Sequence, residues 1–237
     1  MPKRRVRGVR ALEGTAIVVA CGIALAACGS ASEPTARSLV SQALRNARAA
    51  TWVHDVQSAI EPGHKFNATN DIGAKSGRQV IAIDGSHSTV IVLHDMAYIK
   101  GNEKAIVDYF QIPTKHPAAA AGKWISLAPT DGGYAAVSSA VTIASDFGSV
   151  TILGPLREGA VVTLGGHKVL PIIGHVKGSS GSTVPATLYV TTSGTVLPVE
   201  FHVSKGSFSE TTSWSDWGES IVLVTPAPST PIARIIG

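Results

Sequence analysis

Cysteine is almost missing from this chain: Cys21 and Cys28 are the only two in 237 residues. Nothing beyond residue 28 can pair with another thiol, so a disulfide framework is excluded and the fold must rest on packing. Long apolar runs are missing too. The best one, "TAIVVACGIALAA" (Thr15–Ala27), has thirteen residues. As a helix it would reach roughly 20 Å, short of a hydrocarbon core of about 30 Å. A permanent membrane span is therefore not expected.

A surplus of charge is missing as well, once the N-terminus is set aside. The chain carries 20 Lys and Arg against 16 Asp and Glu. Five of the basic residues (Lys3, Arg4, Arg5, Arg7, Arg10) and one acid (Glu13) precede residue 28, leaving fifteen of each sign behind them. The basic pI belongs to the leader, and a nucleic-acid partner is not expected.

Local catalytic and metal motifs are also lacking. The eight histidines never come within four residues of one another, and there is no HxH, HExxH or Cys/His cluster. Nor is there a GxSxG elbow, an SxxK, or a Gly-rich phosphate loop of either common type. "GSSGS" (Gly178–Ser182) reads as a loop, and His94-Asp95 as a turn rather than an oriented base. Asn67-Ala68-Thr69 matches a glycosylation pattern, which reads as incidental. Aromatics make up 5%, and Trp52, Trp124, Trp214 and Trp217 suit core or sheet-edge packing better than a ligand cage. No cofactor is implied, and the reading is non-enzymatic.

What is present starts with a leader: a basic n-region followed by the short apolar run. Both "VVAC" and "LAAC" resemble the lipobox of bacterial lipoproteins. Cutting before Cys21 leaves about six apolar residues after Gly14, below the usual span of about 7–15, whereas cutting before Cys28 leaves the full run. Cys28 is thus the expected lipidated residue. Residues 1–27 form the signal peptide, 28–36 a flexible tether, 37–225 the folded domain, and 226–237 a Pro-rich tail. The arginine pair Arg4-Arg5 lacks the apolar residues that a twin-arginine signal would carry next.

Within the domain, "PTARSLVSQALRNARAA" (residues 34–50) has helical spacing, with Leu39, Ala43, Leu44 and Ala47 on one side. From "TWVHDVQSAI" onward the period becomes two, and short strand-like runs alternate with turn signals. Ala105–Phe110 suits a short helix stopped by Pro113, and residues 133–148 suit another with Val137 and Val141 on one side. Hairpins are expected at Gly165-Gly166 and near Ser193-Gly194, and further strand across residues 207–225. The pattern is α+β: an antiparallel sheet with helices to cover it. With hydrophobic residues at 44%, such a sheet either packs a solid core or leaves an apolar cavity.

The order lipobox, helix, "ATWVHDV", "AYIKGN", "GKWISL", "GTVLPVEF", "SDWGE" resembles the actinobacterial lipoproteins of the LppX, LprA, LprF and LprG family. Their fold is similar to that of the carrier LolA. The resemblance implies a strongly curved antiparallel sheet, a half-barrel, covered by helices over an apolar cavity. It also implies lipid or lipoglycan acyl chains as partners, the extracytoplasmic face of the cytoplasmic membrane as the location, and no catalytic residues. The stretch 103–123 departs from the glycolipid-binding members. Expected inward positions are Val80, Ile81, Ile83 and Val92 in the first strands, Val137 and Val141 on the second helix, and Leu188, Val190, Phe201 and Val203 later. A filled core serving an envelope protein partner or a sensor stays open as the other reading, as does an enzyme with a dispersed site.

Overall fold

The computed structural model describes residues 34–178 and 181–236; Cys28 and the expected leader lie outside them. The first helix, α1 (Ala36–Ala49), buries the stripe read from its spacing, Leu39, Ala43, Leu44 and Ala47, and with it Ala36 and Val40. Thr35 precedes it in extended conformation, and its hydroxyl oxygen accepts from the Ser38 N–H at 3.3 Å. Thr35→Ala is expected to cost about 1 kcal/mol, the usual worth of an N-cap. Chemical denaturation measures it, and an unchanged midpoint would show that packing alone sets where α1 starts.

Five strands follow as a meander: β1 (Trp52–Glu61), β2 (His64–Gly73), β3 (Gly77–Ile83), β4 (Ser86–Leu93) and β5 (Met96–Gly101). Tight turns join them. Asp84-Gly85 and His94-Asp95 both take positive φ at their two residues, the mirror-image turn that matches strand twist. The pair His94-Asp95 is therefore a hairpin turn. After a π-helical turn (Ala105–Tyr109) come α2 (Pro117–Ala120) and β6 (Trp124–Leu127).

The single helix expected over residues 133–148 is two: α3 (Tyr134–Ser139) and α4 (Ile143–Ser149). The break has a tertiary cause. Thr142 makes a parallel bridge to Gly73 of the sheet, and Val141 beside it is fully buried. The close approach needs glycine: a Cβ on Gly77 would sit 2.6 Å from the Val141 carbonyl oxygen. Thr142 then caps α4, accepting from the Ser145 N–H.

The remaining strands are β7 (Leu153–Glu158), β8 (Val162–Leu164), β9 (His167–Lys177), β10 (Thr183–Thr191), β11 (Pro198–Lys205), β12 (Phe208–Ser215) and β13 (Ser229–Pro231). Both expected hairpins form, β8–β9 and β10–β11. Strand structure stops at Ser215, short of the "SIVLVT" run that its β-branched residues suggested. The Pro-rich end, marked off as a tail by composition, contributes β13, which pairs parallel with β6, and the short α5 (Ala233–Ile236).

All strands join one open sheet in the order β13-β6-β5-β4-β3-β2-β1-β12-β11-β10-β9-β7, with β8 also on β9. The two edges do not pair, so the sheet is not a closed barrel. Nine strand steps separate β6 from β9, about 43 Å in a flat sheet. Ile125 of β6 and Ile172 of β9 nevertheless belong to one buried cluster with α1 and α4. Curling of the sheet around the helices brings them into that cluster, which gives the α+β half-barrel expected from the sequence.

Candidate functional site

Strand alternation sorts side chains onto two faces. The face toward α1 and α4 carries Val53, Asp55 and Gln57 of β1, Ala68, Asn70 and Ile72 of β2, and Gln79, Ile81 and Ile83 of β3. This concave face divides into a packed half and an open half.

In the packed half the helices fill the concavity. Val92, Leu188 and Val190, all expected inward, are buried there with Val141 in the continuous core. Phe147 of α4 is fully buried, with ring centroids 5.1 Å from Trp214 and 5.5 Å from Trp217. Val137 sits half-buried on α3 at the margin of this cluster.

In the open half, a cleft of about 430 Å³ lies between α4 and the ends of β9 to β12. Its apolar wall comprises Val150, Val176, Val184, Phe201, Val203 and Phe208, and its polar side is formed by Gln57, Asp146, Glu210 and Thr212. A smaller pocket of about 160 Å³, lined by Phe66, Ile83 and Phe208, lies past the Phe208 ring. The larger cleft falls within the range of about 300–1,000 Å³ typical of ligand sites. Phe201 and Val203 thus line the cleft, Ile83 lines its neighbour, and Ile81 is buried between Ala68 and Ser88 in the pairing.

Val80 is the exception. It shares a face with Arg78, on the opposite side of β3 from Gln79 and Ile81, and is 39% exposed. Both Val80 and Ile81 were expected to point inward; the period of two allows only one of them, and the structure turns Val80 outward. On that outer face Val80 lines a shallow groove of about 1020 Å³ beneath Val222 and Val224.

Sequence reasoning missed a row of polar groups across the concave face. The register aligns Trp214, Asp55, Asn70 and Gln79 on neighbouring strands. Asp55 is 1% exposed. Its carboxylate accepts from the Asn70 side-chain amide and from Gln57 Nε2 at 3.3 Å. Asp146 descends on it from α4, accepting from Trp214 Nε1 at 2.9 Å and from Gln57 Nε2 at 3.5 Å.

Gln57 Nε2 thus donates to both carboxylates, at 3.3 Å and 3.5 Å, which sets the two acids side by side. Burial and then the neighbouring Asp146 push Asp55 up to about 8, and burial raises Asp146 as well. Asp55 is sealed and Asp146 is half-buried at the cleft, and two like-charged carboxyls so placed favour a proton shared between them. Burial also raises Glu210. The Asn70 Oδ1 and Gln79 Oε1 atoms have no hydrogen-bond partner among the described residues. One sequence signal could have found the row: in "WVHDVQ", Asp55 and Gln57 share the alternation phase of buried Val53.

Among the described residues no three His, Cys, Asp or Glu side chains gather as a metal group, and no helix is long and apolar enough to cross a membrane.

The fold and site together define a class: an open antiparallel half-barrel, lined by helices, with a cleft at one end of its concavity that has one apolar and one polar side. No family model matches the sequence, and no curated protein matches it. Solved structures do share the fold. LprF from Mycobacterium bovis superposes with a TM-score of 0.55 at 13% identity, covering 82% of this chain and 99% of that one. The Mycobacterium tuberculosis lipoprotein LppX does so with a TM-score of 0.53 at 20% identity, covering 81% and 99%. The likeness is one of fold, and it is the fold that the sequence motifs implied.

Proposed function

We propose that this chain is a non-enzymatic lipid-binding protein of the cell envelope, anchored through acylated Cys28 at the extracytoplasmic face of the cytoplasmic membrane. In this reading the cleft between α4 and β9–β12 receives acyl chains of a lipid or lipoglycan. The observation that carries it is the cleft itself: an unfilled apolar wall of Val176, Val184, Phe201, Val203 and Phe208 on the concave side of a sheet. Leaving that wall in water is unfavourable by about 25 cal/mol per Å² of apolar area, and an acyl chain would relieve it without a charged clamp. The fold shared with a mycobacterial lipoprotein supports the envelope setting.

The packed half of the concavity favours a second reading, an envelope interaction module with a filled core and no lipid cargo. One experiment separates them: organic extraction of the purified full chain, followed by mass spectrometry of noncovalent lipid. Val176→Trp places an indole in the cleft from a half-buried position. It is expected to lower lipid recovery at least about tenfold, equivalent to about 1.4 kcal/mol of affinity, with little change in thermal midpoint. Equal recovery from variant and wild type would sink the cleft reading, and absence of lipid from both would favour the interaction module.

A further inference from the structure

Among the described residues, α4 is tethered at its N-cap by the Thr142–Gly73 bridge, and its other polar attachments to the rest of the fold pass through two adjacent residues. Asp146 meets Asp55, Gln57 and Trp214 on the sheet, and the Phe147 carbonyl accepts from Arg48 Nη2 of α1 at 2.7 Å. Phe147 itself plugs the interior against Trp214 and Trp217. The same helix borders the open cleft through Asp146 and Ser149, with Val150 just beyond its end. Moving α4 would therefore join the cleft to the space that Phe147 now fills.

We propose that the Asp55–Asp146 carboxyl pair is a proton-held latch, keeping α4 closed over the concavity while one proton is shared and releasing it when that proton is lost. The geometry gives the reason. The pair is stacked between sheet and helix, where Asp55 is sealed from water and cannot be screened. With the proton, one carboxyl donates to the other, and Trp214, Gln57 and Asn70 satisfy the remaining oxygens. Without it, two carboxylates oppose each other across the joint. Of the other charged groups around α4, Arg48 is held by the Phe147 carbonyl, whereas Lys177 and Glu210 line the cleft rim with opposite charges. None of these three is hydrogen-bonded to the pair.

The direction follows from linkage. A carboxyl raised from 3.8 to about 8 in the closed state favours closure fully below the lower value, and that advantage is lost as pH climbs to the upper one. The latch thus loosens as pH rises from acid toward neutral, and its advantage is exhausted only above about pH 8. As a control on cargo entry it rests on the lipid-binding reading. Opening of α4 is measured without ligand, so either idea can fail alone.

Hydrogen–deuterium exchange of the full chain carrying Cys28→Ala and kept free of detergent and lipid, corrected for intrinsic exchange, tests it. Opening of the 143–150 amides is expected to rise by up to about tenfold per pH unit for one proton and to level off above about pH 8, while α1 and the central strands hold. Asp55→Asn is expected to flatten the profile, because an amide there can donate to a charged Asp146. Should Asp55→Asn not fold, Asp146→Asn is the substitute, with a shallower slope expected. A pH-independent α4 in the Cys28→Ala parent would overturn the latch. So would the same rise in every strand, or an Asp55→Asn profile identical to that of the parent.

Discussion

Phe147→Ala is expected to destabilise the protein by about 3–5 kcal/mol, the usual cost of emptying a large aromatic site in a core. Phe147 has no exposed surface, and its ring is flanked by Trp214 and Trp217. A helix as short as α4 cannot hold itself in water, so the loss of this anchor removes more than one side chain's burial. Equilibrium urea denaturation followed by tryptophan emission reads both consequences, since two of the four tryptophans are its neighbours. Phe208→Ala, which trims a half-buried ring at the cleft margin, is the matched control and should cost clearly less. Equal losses at the two sites would mean that Phe147 is no special anchor.

The second large effect is on the pH dependence of global stability. The folded state keeps a proton on the Asp55–Asp146 pair that the unfolded chain gives up near the ordinary carboxylate value. Stability from this source is whole below about pH 4 and declines as pH rises toward about 8. The slope reaches about 1.4 kcal/mol per pH unit for a full proton. Asp55→Asn removes the decline, so it is expected to be the more stable form at neutral pH, by on the order of 2 kcal/mol relative to its standing at pH 5.

Two surface groups also titrate, one below this window and one starting inside it. Asp84 is lowered by its hydrogen bond from His64, and loses its contribution only as pH falls below the usual carboxylate range. His64 is raised by the same contact, and its contribution is lost as pH climbs above the usual histidine value. Both groups are present in wild type and variant, so the difference between the two denaturation series cancels them. Parallel stability curves for the two proteins from pH 5 to 8 would remove the buried pair as their cause.

Much of the fold was legible because it is set by local periodicity. The α1 stripe, the five-strand meander and the two later hairpins each follow from spacing and turn residues within a few positions. The places where spacing misled share a physical origin. Residues 133–148 read as one helix, yet the bridge from Thr142 to Gly73 splits it. "SIVLVT" has β-branched residues on both sides, but no neighbouring strand offers it a ladder. Val80 and Ile81 look alike in the sequence and face opposite ways, because nothing local sets the phase of a strand whose two sides are both partly apolar.

The candidate site was legible in kind and only partly in place. Phe201 and Val203 reached the cleft, while Val92, Val141, Leu188 and Val190 went to helix packing. Asp55 and Asp146 lie 91 positions apart, with no shared motif to connect them. Composition, the confinement of both cysteines to the first 28 residues, the neutral balance beyond residue 27 and the alternating strands are properties of short windows, and the sequence alone determined them. Which half of the concavity is filled, which face each apolar residue takes, and that two acids meet under α4 depend on contacts between distant segments. Only the curl of the sheet around α1 and α4 decided those.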